Sequence, residues 1–169
     1  MSETKSPSLR HNHTAKPSEA ADVPQHLLDP IRAALIDSAL PDDELDRTAD
    51  AWTDAAGFIA GLALQRDPGT PVVHLETVSG SAGSRHMRLG IVNDDMPFLV
   101  DSIAGAVAAA GLTVDSIIHP VVAVRRDGSG RLTDVLDRDA SGERRESMIY
   151  MEIERADAKV RRELVAGID

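Results

Sequence analysis

The chain has 169 residues, no cysteine, and 28 acidic against 18 basic side chains, giving a formal charge of -10 at pH 7. That length holds one ordinary domain with extensions, the charge repels nucleic acid and anionic lipid, and the missing thiols exclude a disulfide framework, a thiolate metal site and a cysteine nucleophile. No apolar run approaches the roughly 20 residues that span a bilayer, and the N-terminus lacks the charged-then-apolar pattern of a signal peptide, so a cytoplasmic protein without nucleic-acid or membrane partners is expected.

Residues 1–26 hold Ser, Thr, Pro, His and charges with hardly any bulky apolar side chain, too little to offset ordering entropy, and read as a disordered tail. His11 and His13 have no third ligand nearby, and a mobile tail would have to be ordered to bind a metal, so no metal site is expected. Residues 27–69 read as a helical segment. Asp29 before Pro30 predicts a helix start, with Ile31, Ala34, Leu35 and Ala39 as its apolar stripe and Pro41 as its end. Asp42, Asp43 and Glu44 then suit the first turn of a second helix, where they complement its dipole. Its stripe, Leu45, Ala49, Trp52, Ala56, Ile59 and Ala63, predicts one long amphipathic helix that stops before Asp67-Pro68-Gly69. Trp52 lies in register with that stripe and reads as a packing anchor.

Residues 70–169 read as a sheet with helices. Val73 and Leu75 alternate with Val72, His74 and Glu76, which predicts a strand over 71–78. A Ser/Gly/Ala run over 79–84 reads as a flexible link, and Met87, Leu89 and Ile91 mark a second strand ending at Val92. Two strands so close in sequence pair antiparallel, which would place His74 opposite His86. Asn93, Asp94 and Asp95 break the alternation, Pro97 suits the first turn of a helix, and Leu99, Ile103, Ala106, Val107 and Ala110 recur at helical spacing up to Gly111. Residues 112–126 form an extended run with apolar side chains on both faces, and Pro120 within it argues for an edge strand or a bulge. Asp127-Gly128-Ser129-Gly130 is a hairpin turn, Leu132 opens a returning strand, and 137–146 is a charged loop. Ile149, Met151 and Ile153 alternate in another strand, and Asp157 caps a last helix inside which the chain ends.

Strand, helix, strand, strand, helix is the split βαβ pattern without its closing strand. The fold class expected is therefore α+β: a ferredoxin-like βαββα sandwich with an extra N-terminal strand and preceding helices. The strand over 71–78 is expected to cover the vacant edge; the alternative is an edge that pairs with another copy or with further sequence.

The best candidate ligand contact is the loop Asn93, Asp94, Asp95, Met96, Pro97 and Phe98. N–H groups at the following helix N-terminus would receive a carboxylate, and Asp94 or Asp95 could pair with an ammonium. A plainer reading has Asp95 capping the helix, Asp94 solvated and Asn93 stabilising the turn. No catalytic residue is expected. The two aspartates are adjacent and point apart, and His119, though set in an apolar strand, has no nucleophile near it in sequence. Arg125 and Arg126 suit a solvated turn as well as an anion site. No G-x-G-x-x-G follows a strand, so no cofactor is expected in this chain.

The runs IVNDDMPFLVDS, IIHPV, VRRDGSGRL and ESMIYMEI occur in this order, after the Trp52 helix and Arg66-Asp67-Pro68-Gly69-Thr70-Pro71. Together, over residues 45–156, they resemble the N-terminal region of the large bacterial NAD-specific glutamate dehydrogenases, a region similar to the ACT class of amino-acid-sensing domains. The resemblance implies an ACT-like domain over 70–169, truncated in its last helix, serving as a regulatory or interaction module. It implies NAD as the parent's cofactor, and downstream domains, an amino-acid effector and a second copy of the chain as partners. Family members are far longer, and their dinucleotide-binding and catalytic regions lie downstream. Lys5, Lys16 and Lys159 are the only lysines here, in the tail and the last helix, so the parent reaction, oxidative deamination of L-glutamate to 2-oxoglutarate, does not transfer to this chain. A structural or oligomerisation domain is the alternative, favoured by the two apolar faces of 112–126.

Overall fold

The structure, a computed structural model, describes residues 23–79 and 85–168; residues 1–22 of the tail expected over 1–26 and residues 80–84 of the link expected over 79–84 lie outside them. In chain order the elements are α1 (Gln25–Asp37), α2 (Pro41–Asp46), α3 (Ala49–Ala63), β1 (Val72–Ser79), β2 (Arg85–Asp94) and α4 (Leu99–Ala109). They continue with β3 (Val114–Ile118), β4 (Val121–Arg126), β5 (Leu132–Leu136), β6 (Arg144–Ile153) and α5 (Ala158–Ile168). The class is α+β with an antiparallel sheet, as expected.

The strands form one sheet in the order β1-β2-β6-β4-β5, with β3 also on β6. β1 runs antiparallel to β2, from Val72 opposite Val92 to Ser79 opposite Arg85. β6 is the spine. It pairs with β2 along one side, while β3 and β4 lie end to end along the other. The extended run is thus one line broken at His119-Pro120, where proline has no N–H to give; its carbonyl instead accepts from Met148 N–H at 2.9 Å. Only the β3 half is an edge, because β5 covers β4. The turn between them is held by the Asp127 carboxylate, which accepts from Ser129 N–H, Ser129 O–H and Arg131 N–H.

Side chains alternate across β6 and so feed two cores. Met148 and Tyr150 join Val92, Ile118, Val122 and Val124 beneath α1 and α3. Ile149, Met151 and Ile153 join Met87, Leu89 and Ile91 beneath α4 and α5. The helices of 27–69 thus cover one whole sheet face, which accounts for the two apolar faces of 112–126 and removes them as an argument for a second copy. α3 lies so close to β2 that a Cβ on Gly90 would collide with the Leu62 and Phe58 side chains.

Several boundaries differ from the sequence expectation. α1 starts at Gln25 rather than at Asp29-Pro30, and Pro30 lies inside it. Burial of Val23, Leu27 and Leu28 outweighs the one backbone hydrogen bond that proline forgoes. The second helix is broken in two at Arg47-Thr48, with Thr48 Oγ1 accepting from Ala51 N–H as the cap of α3. β2 runs on through Asn93 and Asp94, opposite Ser147 and Glu146, so the strand does not end at Val92. α4 begins after Pro97, at a Phe98 whose φ is 63°. His74 lies opposite Gly90 and His86 opposite Val78, not opposite each other. Asp157 does cap α5, accepting from Lys159 and Val160 N–H at 2.8 and 2.9 Å.

Candidate functional site

A cleft of about 510 Å³ opens where the end of β2, the start of α4, the turn before β1 and the end of α5 meet. Its apolar lining comes from Pro71, Ile91, Met96, Leu99, Ile103 and Ile168, and its polar lining from Asn93, Asp94 and Ser102. The volume is in the range of small-molecule pockets. Four of the six candidate residues, Asn93, Asp94, Met96 and Pro97, are brought together on its wall. The other two are not. Asp95 turns back to the sheet, its N–H donating to Arg145 C=O at 3.1 Å and its carboxylate accepting from Ser147 Oγ at 3.0 Å. Phe98 is 77% exposed, and its left-handed backbone is one that a bulky residue adopts only at a cost. Asp95 is therefore not the α4 cap, and α4 has no side-chain cap.

Asp94 is held from behind. Arg66 is fully buried and reaches Asp94 Oδ1 at 3.0 Å and Glu146 Oε1 at 2.7 Å. It also donates to Asn93 Oδ1 at 3.3 Å and, through Nε, to Thr70 C=O at 2.9 Å. Arg126 takes the buried Glu146 in a fork, Nε and Nη2 each at 2.8 Å, and gives Nη1 to the carbonyls of Ala63 and Gly130. Two guanidiniums thus balance two carboxylates, with Asp94 the one member at the surface. Such pairs are expensive to desolvate and persist only when nearly every donor is used, as here. Arg126 is a buried structural residue rather than part of a solvated turn, while Arg125 is exposed against Glu143. Sequence reading missed Arg66 and Glu146 as a pair because 80 residues separate them. The usable signal was an arginine ending a helix next to a Pro-Gly turn.

A second polar cluster lies under α3. Arg47, from the break between α2 and α3, places its guanidinium 5.4 Å from the Trp52 ring and 5.3 Å from that of Tyr150. It donates to Glu152 at 2.8 Å and to Ser116 Oγ at 3.3 Å, and Ser116 in turn donates to Asp43 at 2.8 Å. Burial, then the neighbouring Glu152 charge, pushes the Tyr150 hydroxyl up to about 12. Burial works against ionised Glu152, yet its bonds to Arg47 and Tyr150 prevail and hold it below the usual carboxylate range. His119, half-buried at the strand break, has an Nε2 without a partner among the described residues, and burial lowers its pKa. Among the described residues, no group of three or more His, Asp or Glu side chains is placed to hold a metal ion, and no helix is long and apolar enough to cross a membrane.

The family model for the glutamate dehydrogenase ACT1 domain matches residues 32–168. The NAD-specific glutamate dehydrogenase of Halomonas elongata is 33% identical over 144 residues, covering 78% of this chain and 9% of that protein. The enzyme of the same name from Pseudomonas aeruginosa is 32% identical over 74 residues, covering 43% of this chain and 5% of that protein. The chain therefore spans less than a tenth of the length of these relatives. No solved structure matches it. The match takes in everything from the second turn of α1 to the end of α5, both helical layers and the whole sheet between them, and the chain belongs to the glutamate dehydrogenase ACT1 domain family.

Proposed function

We propose that the chain is the N-terminal regulatory module of a large NAD-dependent glutamate dehydrogenase, non-catalytic in itself, that takes a small amino acid in the cleft at Asn93–Phe98. The observation that carries the reading is the ACT1 family match, which spans both helical layers, the sheet between them and the residues that line the cleft. Two curated relatives of which it covers 9% and 5% bear the dehydrogenase name, and oxidative deamination of glutamate is assigned to the parent on that basis. NAD is assigned to the parent as well. Neighbouring strands here are antiparallel throughout, whereas the usual dinucleotide crevice lies at the carboxyl ends of parallel strands.

In this reading residues 70–169 form a ferredoxin-like, ACT-like unit and 27–69 its helical cover. β1 takes the place of the closing strand beside β2, which supports that arrangement. The module acts in the cytoplasm on the downstream domains of its parent. Calorimetric titration of the chain with a panel of amino acids tests the reading: heat that saturates at millimolar concentration or below is expected, and silence across the panel removes it. Glutamate-dependent NAD reduction by the chain is expected to be nil.

A structural or oligomerisation role is favoured by one observation, the exposure of Met96 and Phe98 on the cleft rim, 47% and 77%. Light scattering separates the two readings. A dimer that Phe98→Ser returns to monomer, together with calorimetric silence, supports the structural role.

A further inference from the structure

We infer that the cleft selects the carboxylate and the aliphatic chain of its ligand and leaves the ammonium unrecognised, so that small aliphatic 2-oxo acids bind it as well as the matching amino acids do. The inference rests on the reading of the cleft as a ligand site and names the ligand class.

Among the described residues, the cleft has one charged side chain on its wall, Asp94. That carboxylate is already in a balanced set, two guanidiniums to two carboxylates, through its 3.0 Å contact with Arg66, and Arg144 stands 4.0 Å from the same oxygen. An incoming ammonium would have to share Asp94 with a fully buried cation that has no water to turn to, and gains little.

Asn93 is fixed the other way round. Its Oδ1 accepts from Arg66 Nη2 at 3.3 Å and from Asp94 N–H at 2.9 Å. Turning the amide over would set its NH₂ against two donors, so the orientation is forced. The end left for a ligand is Nδ2, with two protons to give. Ser102 adds a hydroxyl on the same wall. Apart from Asp94, whose charge Arg66 already balances, the polar side chains on the wall, the Asn93 amide and the Ser102 hydroxyl, can both donate, and they share the cleft with the apolar Ile91, Leu99, Ile103 and Ile168. Donors in an aliphatic cleft fit a carboxylate bearing a short hydrocarbon chain.

Calorimetry on the 169-residue chain with L-leucine, 4-methyl-2-oxopentanoate and 3-methylbutylamine tests this. The two acids are expected to bind within about threefold of each other, and the amine to give no heat at roughly 10 mM. Asn93→Asp keeps the oxygen that Arg66 and Asp94 N–H require but replaces the donor end with an acceptor. It is expected to weaken both acids at least about tenfold, with an unchanged thermal transition. Should that variant fail to fold, Ser102→Ala, on the exposed side of α4, gives the second readout, a loss of about threefold for both acids. Binding of leucine without the oxo acid, an amine as tight as leucine, or binding of polar amino acids alone overturns the inference and leaves amino-acid sensing standing. Silence with all three probes and with the whole amino-acid panel removes the sensing reading itself.

Discussion

The two faces of the sheet are built from alternate residues of the same strands and by different chemistry. Under α1 and α3 lie the aromatics Trp52, Phe58 and Tyr150 and four arginines that each hold a carboxylate: Arg47 on Glu152, Arg66 on Glu146 and Asp94, Arg88 on Glu76 and Asp54, and Arg126 on Glu146. Under α4 and α5 the hydrophobic core is built from Val, Leu, Ile and Met, without an aromatic among the described residues. Aliphatic packing tolerates exchange of residues of similar volume, whereas a buried ion set tolerates loss of a partner poorly. The charged face ties together segments far apart in sequence and fixes how α3 and the β4–β5 hairpin sit on β6. The aliphatic face leaves its end free to open as a cleft.

The sharpest way to break that contrast is Arg66→Met. It strips Asp94, Asn93 Oδ1 and Thr70 C=O of a donor and leaves Glu146 with Arg126 alone. A loss of about 3 to 5 kcal/mol is expected in urea unfolding. Ile103→Val on the aliphatic face is the control, with about 1 kcal/mol expected. If the two cost the same, the arginine is not what holds the charged face.

Tyr150 makes the charged face readable in alkali. Its folded pKa, about 12, lies above its ordinary 10.0, so the unfolded chain gives up the phenolic proton first. The associated stability is complete below pH 10 and is lost as pH rises through about 12, on the order of 2 kcal/mol in all. The chain has a single tyrosine and no cysteine, so tyrosinate absorbance reports this group alone. Tyr150→Phe is expected to flatten the alkaline limb. Gly90→Ala, which sets a methyl against Leu62 and Phe58, is expected to cost about 1.5 kcal/mol through overpacking. A glycine substitution where nothing lies within 4 Å of the added Cβ and φ is ordinary, Gly105→Ala in α4, is expected to stabilise slightly.

What could be read from the sequence follows the same division. Period-two alternation located β1, β2 and β6, period 3.6 located α3, α4 and α5, and Asp127-Gly128-Ser129-Gly130 located the hairpin, because each signal is local. The cleft loop was legible for the same reason, as polar residues between an apolar strand and an apolar helix. The role of Arg66 was not, since nothing in its neighbourhood announces Glu146. Nor was the end of β2. Asn93 and Asp94 look like turn formers in isolation, and they are held in the strand by an arginine from another element and by pairing with β6. The break at Arg47-Thr48 was hidden by a stripe that keeps its spacing across it.

The smallest expected effect sets one histidine of each face against the other. His74 lies beside Phe58, 6.0 Å between rings, with Glu76 at 3.6 Å. His119 stands at the strand break, with Asp95 favouring and Arg138 opposing its protonation. Burial is the largest cause in both, and both pKa values lie below the ordinary 6.5. As pH falls below 6.5, the unfolded chain takes up these protons first, so the stability is present above pH 6.5 and is lost as pH falls through the lower folded values. Both side chains are only partly buried, so solvent screening limits each to about 0.5 kcal/mol. His119→Gln and His74→Gln are each expected to remove part of the slope of stability against pH between 6.5 and about 5, a window above the carboxylates that Glu152 and Asp157 add on the acid side. An undiminished slope in His119→Gln would mean that its partnerless Nε2 meets water in solution, and that the end of the sheet beside the cleft is more open than the face under α3.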